Sequence, residues 1–231
     1  MKKPFNSRLL YKKYLSEDHV IVGFEAEMDF EAGQFFHIIV DAKNQDDPIK
    51  GFRPYSILNS PDDAKRRRVI ETYMKLIPNG LASEYVKSLK ENDPVLLRGP
   101  FGKFMLEKRD TEHIFLCAGT GITPVNSIIA QHVDSGKSIT LMYGEKTKER
   151  LLYHERLLEL ASRYPNFKYN PMLTQEEWSG LTGRVTSYIK ELASDVQGKT
   201  FYTCGMKEFV MDAVAELRKH DVKDIVIERY D

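Results

Sequence analysis

The chain has 231 residues, 42% apolar and 29% charged, an ordinary globular composition with room for one large domain or two of about 110 residues. Its 34 basic and 34 acidic residues balance, whereas a nucleic-acid-binding protein would usually be strongly basic. No apolar run approaches the roughly 20 residues that cross a bilayer, and lysines interrupt the first residues, where a signal peptide would be apolar. We therefore expect a cytoplasmic protein with no membrane span and no nucleic-acid partner. Nothing in the composition indicates an oligomeric state.

The first half of the chain has the pattern of short β-strands, rich in β-branched and aromatic residues and bounded by turn residues. This pattern occupies residues 19–26, 33–40, 51–59, 69–77 and 93–104. Only "LASEYVKSLK", residues 81–90, has the apolar spacing of a helix. Many short strands with closely spaced turns predict an antiparallel barrel or sandwich.

From about residue 111 the pattern changes to strands that alternate with amphipathic helices. The predicted strands cover residues 113–119, 139–144, 167–173, 200–205 and 224–230. The predicted helices cover residues 122–136, 151–164, 186–196 and 208–220. This alternation is typical of βαβ units and predicts a five-stranded parallel sheet covered on both faces. The charged stretch "EKRDTE" separates the two patterns, so we predict domains at 1–109 and 110–231.

The two cysteines, Cys117 and Cys204, lie far apart in apolar segments. They make no disulfide framework, and an internal iron–sulfur cluster would need about four ligands. We predict no metal site.

Two segments carry residues that a plain core would not need. In "GFRPYSILN", residues 51–59, Arg53 and Ser56 stand where a core strand would have Val or Ile. In "AGTGITP", residues 118–124, a glycine-rich turn follows a strand and begins a helix, where free N–H groups can bind a phosphate. Such turns also occur as plain architecture, so each segment alone is ambiguous.

Four motifs follow one another in a fixed order: "RPYS", "GPFGKF", "AGTGITP" and "CGM", at residues 53–56, 99–104, 118–124 and 204–206. This order resembles the ferredoxin–NADP reductase superfamily and covers nearly the whole chain. The resemblance implies an N-terminal antiparallel Greek-key β-barrel that binds flavin, followed by an α/β domain that binds a nicotinamide nucleotide. It also implies hydride transfer from nicotinamide C4 to flavin N5.

The resemblance assigns the flavin to the first domain. Arg53 would pair with a flavin phosphate, Tyr55 would stack on the isoalloxazine beside Pro54, and Ser56 would lie near N5. A second phosphate element would contain Gly80, Leu81 and Ser83, and two phosphates favour FAD over FMN. Taken singly, Arg53 could be a surface ion pair, Tyr55 a core aromatic and Ser83 an ordinary helix cap.

The nicotinamide nucleotide is assigned to the carboxyl ends of the parallel strands. The residues implied for its pyrophosphate are Gly119, Thr120, Gly121, Thr123 and Pro124, and those beside the ring are Cys204, Gly205 and Met206. We expect Cys204 to pack against the ring rather than act as a nucleophile, because no base accompanies it. Near the end of the chain, Glu228 and Tyr230 are implied to face the flavin, although Glu228 could be an exposed strand end. The predicted catalytic group is therefore Ser56, Tyr55, Cys204 and Glu228.

Other segments of the sequence bear on the choice of nucleotide and of electron acceptor. Relatives that prefer NADPH often have a Ser-Arg pair where this chain has Thr174 and Gln175, so we expect NADH, although the basic segment 146–150 could restore NADPH binding. The implied partner is a separate ferredoxin or flavodoxin, or a small acceptor, and the basic run 64–69 could dock an acidic carrier or be a solvated hairpin tip. The alternatives are a flavin or ferric reductase, the reductase of a multicomponent oxygenase, and a cofactor-free interaction module.

Overall fold

The structure is a computed structural model that describes residues 2–47 and 50–230. The chain divides into two compact units. The first contains Met1–Met105 and Asn126–Gln131, and the second contains Leu106–Val125 and His132–Asp231. The assignment of binding functions to 1–109 and 110–231 stays a prediction.

The first unit is built on a six-stranded antiparallel sheet. Its strands are β1 (Phe5–Tyr14), β2 (His19–Glu25), β3 (Phe35–Ile39), β4 (Phe52–Ser56), β5 (Val69–Lys75) and β6 (Pro94–Phe101), in the order β4-β3-β6-β1-β2-β5. Just beyond β4, the amide of Leu58 donates to the carbonyl of Glu71 in β5 at 2.8 Å, so the two edges of the sheet meet. The predicted Greek-key barrel is therefore confirmed. Its interior is filled by aliphatic side chains and by Phe24 and Phe36.

Strand β1 was not predicted, because its basic residues mask the alternation. Only Ser7 and Leu9 of its ten residues are buried, while Lys12 and Lys13 project from the sheet. The Lys12 ammonium donates to the carbonyls of Val86, Lys87 and Leu89 and so caps the end of a helix. That helix is α2 (Leu81–Ser88), which was predicted.

The basic run lies on a helix rather than at a hairpin tip. Helix α1 (Pro61–Arg67) begins at the Ser60 cap, whose hydroxyl accepts a hydrogen bond from the amide of Asp63 at 3.2 Å. The conformation predicted for this run was wrong, although Ser60-Pro61-Asp62 is a recognisable helix start. Ion pairs within the first unit neutralise the arginines of this basic run. Arg66 and Arg67 pair with Asp63, Arg67 also pairs with Glu71, and Arg68 pairs with Glu27.

The second unit is built on a parallel sheet flanked by helices. Its strands are β7 (Glu112–Ala118), β8 (Ile139–Glu145), β9 (Phe167–Leu173), β10 (Leu181–Thr182), β11 (Lys199–Met206) and β12 (Ile225–Tyr230), in the order β10-β9-β8-β7-β11-β12. Its helices are α3 (Ile122–His132), α4 (His154–Arg163), α5 (Ile189–Leu192) and α6 (Lys207–Lys219). The five predicted strands are present, and β10 adds a sixth that is too short to show in the sequence. The predicted helix 186–196 is instead a 3₁₀ turn, Val185–Tyr188, followed by the single turn of α5.

The register of the parallel strands brings titratable side chains onto one face of the sheet. Cys117 in β7 lies opposite Tyr143 in β8 and Cys204 in β11, and Cys204 lies opposite Glu228 in β12. Residues at the same level of neighbouring strands share a face. The opposite face is apolar and packs against α5 and α6, with Ile114, Leu116, Met142 and Phe201 in its core. The row Tyr143, Cys117, Cys204 and Glu228 therefore lies on the face away from α5 and α6.

Candidate functional site

The first part of the candidate site is strand β4 of the first unit. Arg53 and Tyr55 are two residues apart, so they share one face of the strand, and both are half-buried. Burial raises the pKa of Tyr55 to about 12, and the nearby positive charge of Arg53 acts in the opposite direction. The Arg53 guanidinium also donates to the carbonyl of Phe52 at 2.7 Å. Pro54 is exposed, and Ser56 is buried at the end of the strand.

The second part is the turn before helix α2. Gly80 is the cap residue of this helix, with an extended backbone and no side-chain hydrogen bond to offer. Ser83 is buried, and its hydroxyl accepts a hydrogen bond from the amide of Ile77 at 2.9 Å. Ser83 therefore fixes the turn rather than capping the helix. Leu81 is exposed at the helix start, where first-turn amides have no acceptor within the helix.

The third part is the glycine-rich turn of the second unit. Gly119 has φ +58°, a conformation that favours glycine, and begins a 3₁₀ turn, Gly119–Gly121, that leads directly into α3. A Cβ atom on Gly121 would lie 2.1 Å from the carbonyl oxygen of Cys204. The close approach of strand β11 therefore requires glycine at position 121, whatever ligand the turn binds. Within the turn, the hydroxyl of Thr123 donates to the carbonyl of Thr120 at 2.7 Å, and Pro124 is buried in the first turn of α3.

The fourth part lies at the carboxyl ends of β11 and β12. Cys204 is completely buried, and its thiol donates to the hydroxyl of Tyr230 at 3.5 Å. Burial strongly raises the pKa of the Cys204 thiol, which agrees with a packing residue rather than a nucleophile. Gly205 follows, and Met206, opposite Tyr230 in the register, is 67% exposed.

Glu228 is the residue of this group whose pKa lies near neutral pH. It is half-buried in β12, and burial alone raises the pKa of its carboxyl group from 4.5 to about 7. A carboxyl group with this pKa exchanges its proton near neutral pH. Shifted pKa values are common at functional sites, so this observation favours the functional interpretation of Glu228 over that of a plain exposed strand end.

Two family models match the chain in the order of the two units. Residues 6–106 match the model described as an oxidoreductase FAD-binding domain, and residues 115–215 match the one described as an oxidoreductase NAD-binding domain. The chain belongs to the ferredoxin–NADP reductase superfamily. Its two domains are the FAD-binding and NAD-binding domains of an oxidoreductase of this superfamily.

Individual relatives differ in length. The reductase component of phenol 2-monooxygenase from Pseudomonas sp. strain CF600 is 30% identical over 220 residues, which make up 90% of this chain and 60% of that protein. Ferredoxin–NADP reductase B from Sorangium cellulosum is 26% identical, with 99% of this chain and 98% of that protein covered. The chain spans 60%, 58% and 55% of the first three curated relatives that it matches.

A solved structure has the same fold. The crystal structure of a ferredoxin NADP⁺ reductase from Neisseria gonorrhoeae with bound FAD and NADP superimposes with a TM-score of 0.83 at 22% identity, covering 99% of each chain. Among the residues described, no helix is long and apolar enough to cross a membrane. Residues 2–47 and 50–230 also contain no group of three or more His, Cys, Asp or Glu side chains placed to bind a metal ion.

The residues of β4 fit the FAD of this superfamily. Arg53 offers a permanently charged, forked donor that suits a phosphate, and Tyr55 offers an aromatic ring that is only partly covered by its own domain. The turn at Gly80 adds a helix start that suits a second phosphate. The chemistry of the side chains thus agrees with a cofactor that carries both a flat ring and phosphates.

One residue of the candidate site was missed in the sequence. Glu145 ends β8 with only 8% of its surface exposed, on the same face as Tyr143 and beside the turn at Gly119. The available signal was a charged residue at the carboxyl end of an apolar strand, "ITLMYGE". Thr174 and Gln175, the pair expected to discriminate the nucleotides, lie exposed just beyond β9.

Proposed function

We propose that this chain catalyses electron transfer between NAD(P)H and a separate acceptor through FAD, with a ferredoxin or flavodoxin as the acceptor, or in the reverse direction. The observation that carries the proposal is the shared face of Arg53 and Tyr55 on β4, because a core strand has no use for this pair. The full-length match to a relative named as a ferredoxin–NADP reductase supports this acceptor class.

In this proposal the first domain binds FAD and the second binds the nicotinamide nucleotide. Arg53 and the Gly80–Ser83 turn hold the phosphates, and Tyr55 and Ser56 orient the flavin ring. Bound FAD supplies the chemistry, since it accepts hydride from a nicotinamide and can release electrons singly. Residues 119–124 hold the nucleotide pyrophosphate, and Cys204 to Met206 pack beside the nicotinamide ring.

Glu228 is proposed to hold or release a proton near the reacting ring. With the pKa of its carboxyl group at about 7, it can be protonated or ionised at neutral pH without a large energetic cost. The buried thiol of Cys204 stays protonated, because burial raises its pKa, and it positions Tyr230 through their hydrogen bond.

We further propose that NADH is the preferred nucleotide. Neither Thr174 nor Gln175 can supply a positive charge to the dianionic 2′-phosphate of NADPH. Lys146 and Lys148 are exposed, so solvent screens their charges.

A second candidate function is the reductase component of a multicomponent oxygenase. The 30% identity to the phenol 2-monooxygenase reductase component favours it. A flavin or ferric reductase would use the same two domains with a small acceptor, whereas a cofactor-free module would have no need for Arg53 and Tyr55.

The test is anaerobic titration of the purified protein with each nucleotide. The protein should be yellow, and NADH should bleach the flavin absorbance faster and at lower concentration than NADPH. Addition of a ferredoxin, a flavodoxin, riboflavin or a ferric chelate then identifies the acceptor by the return of the flavin spectrum. A colourless protein that takes up no added FAD would support the interaction module instead.

The flavin assignment has its own test in Arg53→Ala. Because a hydrogen bond to a charged group contributes roughly 1.5–3 kcal/mol, the Kd for FAD should rise about 10-fold to 100-fold. The matched control is Arg66→Ala, which removes an exposed guanidinium from α1. An unchanged Kd in Arg53→Ala, measured by equilibrium titration, would contradict the phosphate role.

A further inference from the structure

The carboxylate of Glu145 is a buried charged group at the carboxyl end of β8, and the sequence analysis left it without a role. It follows six buried residues of β8 and has only 8% of its surface exposed. The fold does not demand a charge there, since an apolar side chain could end the strand equally well. A buried charge is costly unless it is paired, so its presence needs a reason.

The carboxylate points at the turn that is proposed to hold the pyrophosphate. A Cβ atom on Gly119 would lie 4.0 Å from Oε1 of Glu145. The other oxygen, Oε2, accepts a hydrogen bond from the amide of Lys146 at 3.1 Å, and the hydroxyl of Tyr143 lies 3.5 Å from Oε1. These contacts fix the carboxylate against the glycine turn, and the hydrogen bond from Tyr143 to Oε1 is long at 3.5 Å.

Backbone hydrogen bonds tie Glu145 to the pair that is proposed to discriminate the nucleotides. The amide of Thr174 donates to the carbonyl of Glu145 at 3.0 Å, and the amide of Gln175 donates to the carbonyl of Lys146 at 3.0 Å. The hydroxyl of Thr174 donates to the same Glu145 carbonyl at 3.3 Å. The turn at Gly119, the carboxylate and the Thr174-Gln175 pair therefore form one connected group within the second unit.

General rules for open α/β sheets relate such a group to a dinucleotide. Ligands bind at the carboxyl ends of the strands, and an acidic residue well beyond the glycine turn can accept a hydrogen bond from a ribose 2′-hydroxyl. The same carboxylate repels a 2′-phosphate, because both groups carry negative charge. Burial strengthens this repulsion, since solvent screens a buried charge much less than an exposed one.

We propose that Glu145 is a specificity residue that selects NADH against NADPH, accepting a hydrogen bond from a ribose hydroxyl and disfavouring the 2′-phosphate. This inference rests on the proposed function, because it assumes that the second unit binds a nicotinamide nucleotide. The Glu145 carboxylate would repel the 2′-phosphate of NADPH, for which Thr174 and Gln175 already offer no positive charge. Arg150 and the amide of Lys146 support the ionised form, against the burial that raises the pKa of Glu145.

The first test compares Glu145→Gln with the wild-type protein in rapid anaerobic reduction of the bound flavin. The substitution keeps the size of the side chain and removes its charge. The ratio of the second-order rate constants, NADPH over NADH, should rise about tenfold. The matched control is Glu149→Gln, four residues away and exposed, which should leave the ratio unchanged. An unchanged ratio in Glu145→Gln would overturn the proposal.

A second measurement needs no flavin chemistry. Calorimetry compares AMP with adenosine 2′,5′-bisphosphate, which differ only in the 2′-phosphate, in the wild-type protein and in Glu145→Gln. The proposal requires that the ratio of the two Kd values, AMP over bisphosphate, rise about tenfold in Glu145→Gln, and an unchanged ratio would overturn it. If neither NADH nor NADPH bleaches the flavin, the proposed function fails, and the effect of the substitution on this ratio still decides the role of Glu145.

Discussion

At the scale of single residues, Glu228 couples stability to pH. Its folded-state pKa of about 7 lies above its ordinary value of 4.5, so between these two values the native state binds more protons than the unfolded chain. The free energy of unfolding should therefore fall as the pH rises from about 4.5 to about 7. The loss is at most about 3 kcal/mol, and solvent near this partly exposed side chain makes it smaller.

Glu228→Gln should remove most of this loss, because glutamine does not ionise. The measurement is urea unfolding at pH 5 and pH 8, followed by the fluorescence of Trp178, the single tryptophan of the chain, which lies in the same unit. Glu159→Gln on the exposed side of α4 is the matched control and should keep the wild-type difference. Equal stability of the wild-type protein at pH 5 and pH 8 would contradict the raised pKa of Glu228.

The sequence shows on which elements the candidate residues lie better than it shows what surrounds them. Arg53 and Tyr55 could be placed on one face of a strand from period-two alternation alone. The burial of Glu145 could not be predicted in this way. Its neighbours Gly119 and Thr174 are 26 and 29 residues away in the chain. The reason for glycine at position 121 was also hidden, because it depends on the path of β11.

At the scale of secondary structure, the junction of the glycine turn and β11 should be the least tolerant to added volume. The Cβ atom of Gly121→Ala would lie 2.1 Å from the carbonyl oxygen of Cys204, and backbone cannot rotate away as a side chain can. We expect a loss of about 3 kcal/mol in the free energy of unfolding. The same substitution should also weaken nucleotide binding, because the turn must shift.

Gly136→Ala is the matched control for this prediction. Gly136 has φ +78° just after α3, and a Cβ atom there would meet no other atom within 4 Å. This variant should lose only the conformational cost of about 1–2 kcal/mol. Chemical denaturation of both variants measures which one loses more free energy of unfolding. An equal or smaller loss in Gly121→Ala than in Gly136→Ala would mean that β11 can move away from the turn.

The elements that were missed share a physical cause. Strand β1 buries only Ser7 and Leu9, and its basic residues hide the alternation in the sequence. Helix α1 is only seven residues long, and its cap signal stands inside a charged run that is also typical of a turn. Strand β10 has two residues and is held by two ladder partners, Met172 and Leu173. Long, strongly periodic segments such as α6 and β11 were predicted because their own residues determine them.

At the scale of the whole molecule, the chain matches relatives of different length. The chain covers nearly all of the Sorangium ferredoxin–NADP reductase B, but only 60% of the phenol 2-monooxygenase reductase component. The same two domains therefore occur in relatives of different length and different name. The proposed acceptor would be recognised at the protein surface, where charge is the property that acts at the longest range.

The balance of charge predicts weak electrostatic steering toward an acidic carrier. The 34 basic and 34 acidic residues cancel, and the arginines of the 64–69 run are paired with Asp63, Glu71 and Glu27. Strongly steered pairs gain roughly 10-fold to 1000-fold in association rate and lose that gain as salt screens it. Between ionic strengths of about 0.01 and about 0.15 M, the rate of electron transfer to an acidic ferredoxin should therefore fall by less than about tenfold.

Stopped-flow mixing of the reduced protein with the carrier measures this rate, and riboflavin, a neutral acceptor, provides the control for general salt effects. A fall of about 100-fold with the ferredoxin alone would require a concentrated basic docking surface that these ion pairs do not leave on α1.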